Sequence, residues 1–208
     1  MTPTTPWSAN CRRRTARRAE TRLRPSSPGG QHDWVTWIAP EVDRPEPPNV
    51  ASERPALQGW LDFHRATLLW KCSGLDGDQL TARPVQSSTL SLLGLVRHMA
   101  EVERSWFRIR FAGQPELGAL YCDDEFPDGD FDRTDGGQAE RDFAVFAGEC
   151  VAADEAVRDR PLDEVFKGPR TGAPMDLRWI YLHMIEEYAR HNGHADLLRE
   201  LTDGVTGD

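Results

Sequence analysis

LRWIYLHMIEEYARHNGHADLLRE, residues 177–200, places apolar residues every three or four positions, the period of an amphipathic helix. Continued by one turn, a single stripe reads Leu177, Ile180, Met184, Glu187, His191, His194, Leu198, Leu201. The stripe is apolar at both ends and ionisable in the middle. A lone carboxylate buried on such a face costs several kcal/mol unless something neutralises it. A divalent cation does so, and Glu and His one turn apart can bind the same ion. The plainer reading is that Glu187 and His191 form an ordinary i,i+4 ion pair, which contributes only a few tenths of a kcal/mol. His183 and Glu186 flank the stripe as weaker candidates.

Three more amphipathic segments precede this one. The first spans about 53–72, with Leu57, Leu61, His64 and Leu68 on one face. The second spans about 89–112, with the stripe Leu92, Leu95, Met99, Val102, Trp106; Ser88 or Thr89 can cap its start and Gly113 ends it. The third spans about 137–158, with Phe143, Ala147, Cys150, Val151 and Val157 expected to face inward. The fourth spans about 176–202, opened by Asp176 and closed by Gly204. None alternates like a strand. The expected fold class is all-α, a four-helix bundle over residues 50–208. Residues 1–49 are expected to be a disordered basic extension and linker, with five prolines between Pro40 and Pro55. Trp34, Trp37 and Ile38 are candidates to dock on the body.

His98 supplies a third ligand from the second helix. It neighbours Met99 and lies one turn from Leu95 and Val102, at the edge of the buried stripe. Bundles build metal sites from facing helices in this way. Three protein ligands leave positions open for water or substrate, the pattern of a catalytic site. His194 can act as an auxiliary acid–base group or as a donor behind a ligand. His64 is the loosest candidate. A lone histidine on an apolar face is more often a hydrogen-bonded core residue, so the weight rests on the joint pattern.

Charge and composition remove several function classes. Residues 1–31 hold seven arginines against Glu20, a net +6, so the rest of a chain of net charge −9 carries −15. An acidic body is a poor partner for nucleic-acid phosphates. The basic segment is compatible with nucleic-acid contact, a transit peptide or a plain disordered extension. No run of 18 apolar residues is present, so no spanning helix is expected. The four cysteines form no CxxC pair and read as reduced thiols of a cytoplasmic protein. Asp128, Asp130 and Asp132 resemble the start of a calcium loop. Arg133 stands where that loop needs Gly, and Ala139 where it needs Glu. The acidic segment 114–137 is therefore expected to be a solvated connection, long enough to serve as a lid. No GxSxG, GxGxxG, phosphate loop or HExxH occurs.

TLSLLGLVRHMAEVERSWFRIRFAG (89–113) and the 177–200 stretch resemble the DinB/YfiT-like superfamily. They are most similar to a branch found in mycothiol-using bacteria, near the mycothiol-dependent maleylpyruvate isomerase group. The resemblance covers about residues 50–204 and implies an up-down-down-up bundle, frequently dimeric, with a divalent metal on three side chains. The typical set is one His on the second helix and an HxxxH pair on the fourth. Here those positions are His98, Glu187 and His191, the glutamate matching the isomerase-like group. A carboxylate in place of an imidazole favours a harder ion or tighter Zn²⁺ binding; zinc is expected first, with nickel, iron or manganese as alternatives. His194 falls where many members have Gln. The resemblance further implies a thiol-dependent S-transferase or isomerase acting on a small electrophile, with mycothiol as possible cosubstrate. A metal-dependent hydrolase and a non-catalytic bundle are the alternatives.

Overall fold

The computed structural model describes residues 36–169 and 171–207. Four long helices carry the core: α1 (Glu53–Trp70), α3 (Leu92–Glu103), α5 (Ala139–Val157) and α6 (Leu177–Asp203). Helix α1 packs on α6, α3 on α5, and α3 also meets α6. Short α2 (Gly77–Thr81) and α4 (Gly129–Asp132) decorate the connections. A two-stranded antiparallel hairpin, β1 (Val165–Lys167) with β2 (Pro174–Asp176), leads into α6. The hairpin was not expected from sequence, because three-residue strands carry too little alternation to read. The all-α bundle is otherwise as expected.

The α3 stripe Leu92, Leu95, Met99, Val102, Trp106 is buried throughout. Its N-cap is Ser91, whose side chain accepts from the Gly94 N–H at 3.1 Å. Ser88 instead accepts from the Leu90 N–H, which keeps the chain extended ahead of the helix. After Glu103 the helix widens to π geometry over Arg104–Phe111 and ends at Gly113, where φ is +70°. On α6, Asp176 caps through the Trp179 N–H at 2.8 Å. The stripe stays inside as far as Leu198, but Leu201 is exposed, because the last turn carries the helix past its partners.

Helix α5 turns Phe143, Cys150 and Val157 inward as its apolar pattern suggests, but departs from that pattern elsewhere. Ala147 and Val151 are exposed, while Asp142, Phe146, Glu149 and Ala153 are buried with Phe143 and Val157. Two of these are carboxylates matched to arginines across the interface. Arg97 meets Asp142 at 3.0 Å, and Arg104 and Arg108 meet Glu149 at 2.6 and 2.8 Å. Paired charges took positions that a hydrophobic count assigns to the surface.

One buried network ties all four long helices. Arg65 of α1 donates to both oxygens of Glu103 on α3 at 2.8 Å and to Asp154 on α5 at 2.9 Å. Tyr188 of α6 donates to the same Glu103 at 2.8 Å. Because Tyr188 follows Glu187, this network fixes the rotation of α6 and the face it turns to α3.

Residues 36–39 lie against the bundle. The Ala39 N–H donates to the Leu75 carbonyl and the Gly74 N–H to that of Ala39, both at 2.9 Å. Trp37 meets the Phe143 ring edge-on at 5.1 Å. Trp34, and the expected disordered extension as far as residue 35, lie outside the described residues.

Candidate metal centre

Helix α6 presents Glu187 and His191 one turn apart, and α3 presents His98 opposite them. One donor atom from each lies within 4.8 Å of the other two. The rings of His98 and His191 meet edge to face with centroids 4.8 Å apart. Glu187 Oε2 stands 3.5 Å from His191 Nε2. Glu187 is buried and both imidazoles are nearly so.

The segment expected to be a solvated loop closes this site. Arg97, the residue before His98, donates to the carbonyls of Gly129 and Asp130, both at 3.0 Å. A Cβ on Gly129 would sit 2.3 Å from the Tyr121 carbonyl oxygen, so only glycine lets the loop fold back here. Asp130 is thereby buried, 5% exposed, and its Oδ2 lies 2.7 Å from His98 Nδ1. The solvated-loop expectation holds for most of 114–137, which is exposed, and fails at Gly129 and Asp130, where two backbone carbonyls accept from Arg97 and its guanidinium lies over the Tyr121 ring at 3.9 Å. With Nδ1 turned to this carboxylate, Nε2 is the ring atom that could take a metal, the arrangement in which a carboxylate orients a metal-binding imidazole.

His194 stands behind the other imidazole, with its Nδ1 3.4 Å from that of His191. With Nε2 of His191 turned to Glu187, Nδ1 is the atom left for His194 to orient. His183, Glu186 and Glu187 also gather within 4.8 Å. That group is the poorer cation site, since Glu186 is exposed and Arg190 already pairs with both glutamates. His64 is set apart, facing Asn192 at 3.3 Å.

The donor chemistry fits a divalent ion. Burial pushes Glu187 up, but the His191 hydrogen bond and the charges of His183 and Arg190 outweigh it and hold the carboxyl below its usual range. Burial pushes His191 down despite its bond to Glu187. At neutral pH the chain thus offers an ionised carboxylate and a neutral imidazole, the forms that bind metal. The cysteines offer no rival nucleophile among the described residues. Burial pushes Cys72 up to about 12 and Cys122 up to about 11, and raises Cys150 as well.

The family model for mycothiol-S-transferase matches residues 56–204. The chain belongs to the mycothiol-S-transferase family. The matched span contains α3, α5, α6, all of α1 but its first turn, the 114–137 segment and His98, Asp130, Glu187, His191 and His194. No curated protein matches the chain, and no solved structure does. No helix among the described residues is long and apolar enough to cross a membrane.

Asp130 was the residue that sequence reasoning missed as part of the site. It lies 32 positions from His98, in an acidic segment that failed the calcium-loop pattern and was read as a solvated connection. The usable signal was that a histidine ligand needs a carboxylate behind it. Replacing Asp130 with Asn is expected to lower Zn²⁺ affinity by about 10–100-fold, measured by competition with a chromogenic chelator. Unchanged affinity would detach Asp130 from the site.

A pH dependence follows from the same groups. Burial lowers His64, His183 and His191 from the ordinary 6.5. The unfolded chain therefore takes up protons first, and stability falls as pH drops below about 6.5. Glu187, whose ionised form is favoured in the fold, adds stability that is lost further down, as pH falls below the usual 4.5. Metal-free protein is expected to melt at lower temperature at about pH 5.5 than at about pH 7.5; equal melting temperatures would contradict the burial of these imidazoles.

Proposed function

We propose that this chain is a metal-dependent thiol S-transferase, joining a low-molecular-weight thiol such as mycothiol to a small electrophile. The observation that carries the reading is the convergence of His98, Glu187 and His191 within 4.8 Å, inside a chain of the mycothiol-S-transferase family. A bound divalent ion, zinc by preference, lowers the pKa of a thiol or water at its open position and supplies a nucleophile at neutral pH.

The chain's own residues do the rest. His98 and His191 hold the ion through Nε2, and Glu187 brings the one negative charge of the ligand set. Asp130 fixes the ring of His98, and His194 fixes that of His191. His194 is also the proposed acid–base group, taking the proton that the thiol gives up as the C–S bond forms and delivering it to the group that leaves the electrophile, or to the electrophile itself where the thiol adds across a double bond. The acidic body and its lack of a low-pKa cysteine support a reaction whose sulfur comes from the cosubstrate.

The test is consumption of 1-chloro-2,4-dinitrobenzene by zinc-loaded protein with and without mycothiol. Turnover is expected only when the thiol is supplied, and is expected to disappear in His98→Ala. Turnover of ester or amide substrates without thiol would point to a hydrolase instead. Stoichiometric metal with no turnover of either kind would leave a structural bundle.

A further inference from the structure

Most arginines packed around α3 have found a carboxylate. Arg65, Arg97, Arg104 and Arg108 each pair with Glu103, Asp142 or Glu149. Arg110, on the π-helical continuation of α3, has no ion-pair partner among the described residues. Its guanidinium lies over the Trp106 ring, 4.4 Å from the centroid. One of its terminal nitrogens is buried and meets no hydrogen-bond acceptor. Burial alone holds this guanidinium below its usual value. The residue as a whole is only half-buried, so the cost lies in that one buried N–H, which the Trp106 face offsets in part and no acceptor meets.

Two further donors in the same cluster are unmet. Trp106 is only 5% exposed, and its Nε1 has no acceptor. His183 Nε2 has none either; the oxygen facing it, Glu187 Oε1, stands 3.9 Å away, too far for a hydrogen bond. The rings are in contact: Trp106 meets His183 edge to face at 4.7 Å, and Trp179 stacks on His183 at 4.8 Å. Trp179 is 41% exposed and also contacts the Trp106 ring at 5.2 Å, so it is the solvent-facing wall of the cluster. An unmet buried donor carries a desolvation penalty that a ligand oxygen removes. Cation, two N–H groups and flat aromatic walls together describe the complement of a planar carboxylate.

We propose that Arg110, Trp106 and His183 form a carboxylate subsite beside the metal centre, one turn of α6 from Glu187, that receives the anionic end of a planar electrophile. Its role in the reaction rests on the S-transferase reading; its binding of a carboxylate does not. The carboxylate accepts from Arg110 in a charge-assisted pair and from the Trp106 indole N–H, while Trp179 and His183 face its plane. The electrophilic carbon is then held near the open side of the His98–Glu187–His191 group.

Quenching of tryptophan fluorescence by benzoate, benzamide and acetate tests this on zinc-treated wild type, Arg110→Gln, Arg110→Lys and His98→Ala. Benzoate is expected to bind wild type, and benzamide and acetate to bind at least about tenfold more weakly. Arg110→Gln is expected to lose about tenfold or more in benzoate affinity with its zinc content unchanged, and Arg110→Lys to fall between. His98→Ala is expected to lose zinc and keep benzoate. Failure of benzoate to bind wild type, equal binding by Arg110→Gln, or equal binding of benzamide would overturn the subsite. Loss of benzoate in His98→Ala alone would place the carboxylate on the metal and overturn the subsite while sparing the metal reading. A wild type that binds benzoate through Arg110 but takes up no zinc would overturn the metal reading and spare the subsite.

Discussion

Exchanging Glu187 for glutamine is expected to cost about 100-fold or more in Zn²⁺ affinity while leaving the metal-free protein folded. Glu187 is the only charged member of the proposed ligand set, and it is held in its ionised form. An amide of nearly the same shape fills the same buried space but offers no negative charge to a buried dication. Removing a residue behind a ligand typically costs about 10–100-fold in affinity, so loss of a charged ligand sets that range as a floor. The metal-free variant escapes the desolvation of a buried carboxylate and loses contacts that are all long, Arg190 at 3.4 Å, His191 at 3.5 Å and His183 at 3.9 Å, while its amide can still hydrogen-bond to the His191 ring. Its melting temperature is therefore expected to match that of metal-free wild type within a few degrees. Competition titration and thermal melting on the same preparation separate the two effects. A variant that binds zinc like wild type would remove Glu187 from the site. One that does not fold would give it a structural role instead.

Truncating Arg65 to alanine acts on the fold rather than on the metal. It leaves Glu103, which is fully buried, with Tyr188 as its remaining donor, and it removes the ion pair to Asp154, which keeps only the Gln58 amide. Removing one side of a buried pair costs about 3–5 kcal/mol, because the other charge stays buried and uncompensated. For a domain of this size that corresponds to a fall of roughly 10 °C in Tm. The double variant Arg65→Met, Glu103→Leu removes both charges and is expected to recover most of the loss. Urea unfolding of the two variants decides between them. A single variant as stable as wild type would show that the four long helices hold their register without this network.

The bundle was legible because its helices are long and strongly periodic. The α3 and α6 stripes could be read almost residue by residue, and the polar interruption at Glu187 and His191 marked the site directly. Periodicity failed on α5, where Asp142 and Glu149 are inside only because Arg97, Arg104 and Arg108 reach them from another helix. Partners separated by tens of residues leave no local trace. The Arg65–Glu103–Tyr188 network escaped notice for the same reason, its members lying 38 and 85 positions apart. Asp130 was misread because acidity alone argued for solvent. The decisive groups were Arg97, which clamps the loop from beside His98, and Gly129, which lets it turn. Nothing in the sequence marks Arg110 among the arginines of 104–110. Only the widened π turn, which sets it over Trp106 and away from any carboxylate, makes it distinctive.

The reading of His98, Glu187 and His191 as ligands stands or falls most directly on the metal content of the full-length protein purified without chelator. Elemental analysis by plasma mass spectrometry is expected to find about one divalent ion per chain, and none in His98→Ala or His191→Ala prepared alongside. Wild-type protein that carries no stoichiometric ion and takes none up from zinc, nickel, iron or manganese would contradict the account.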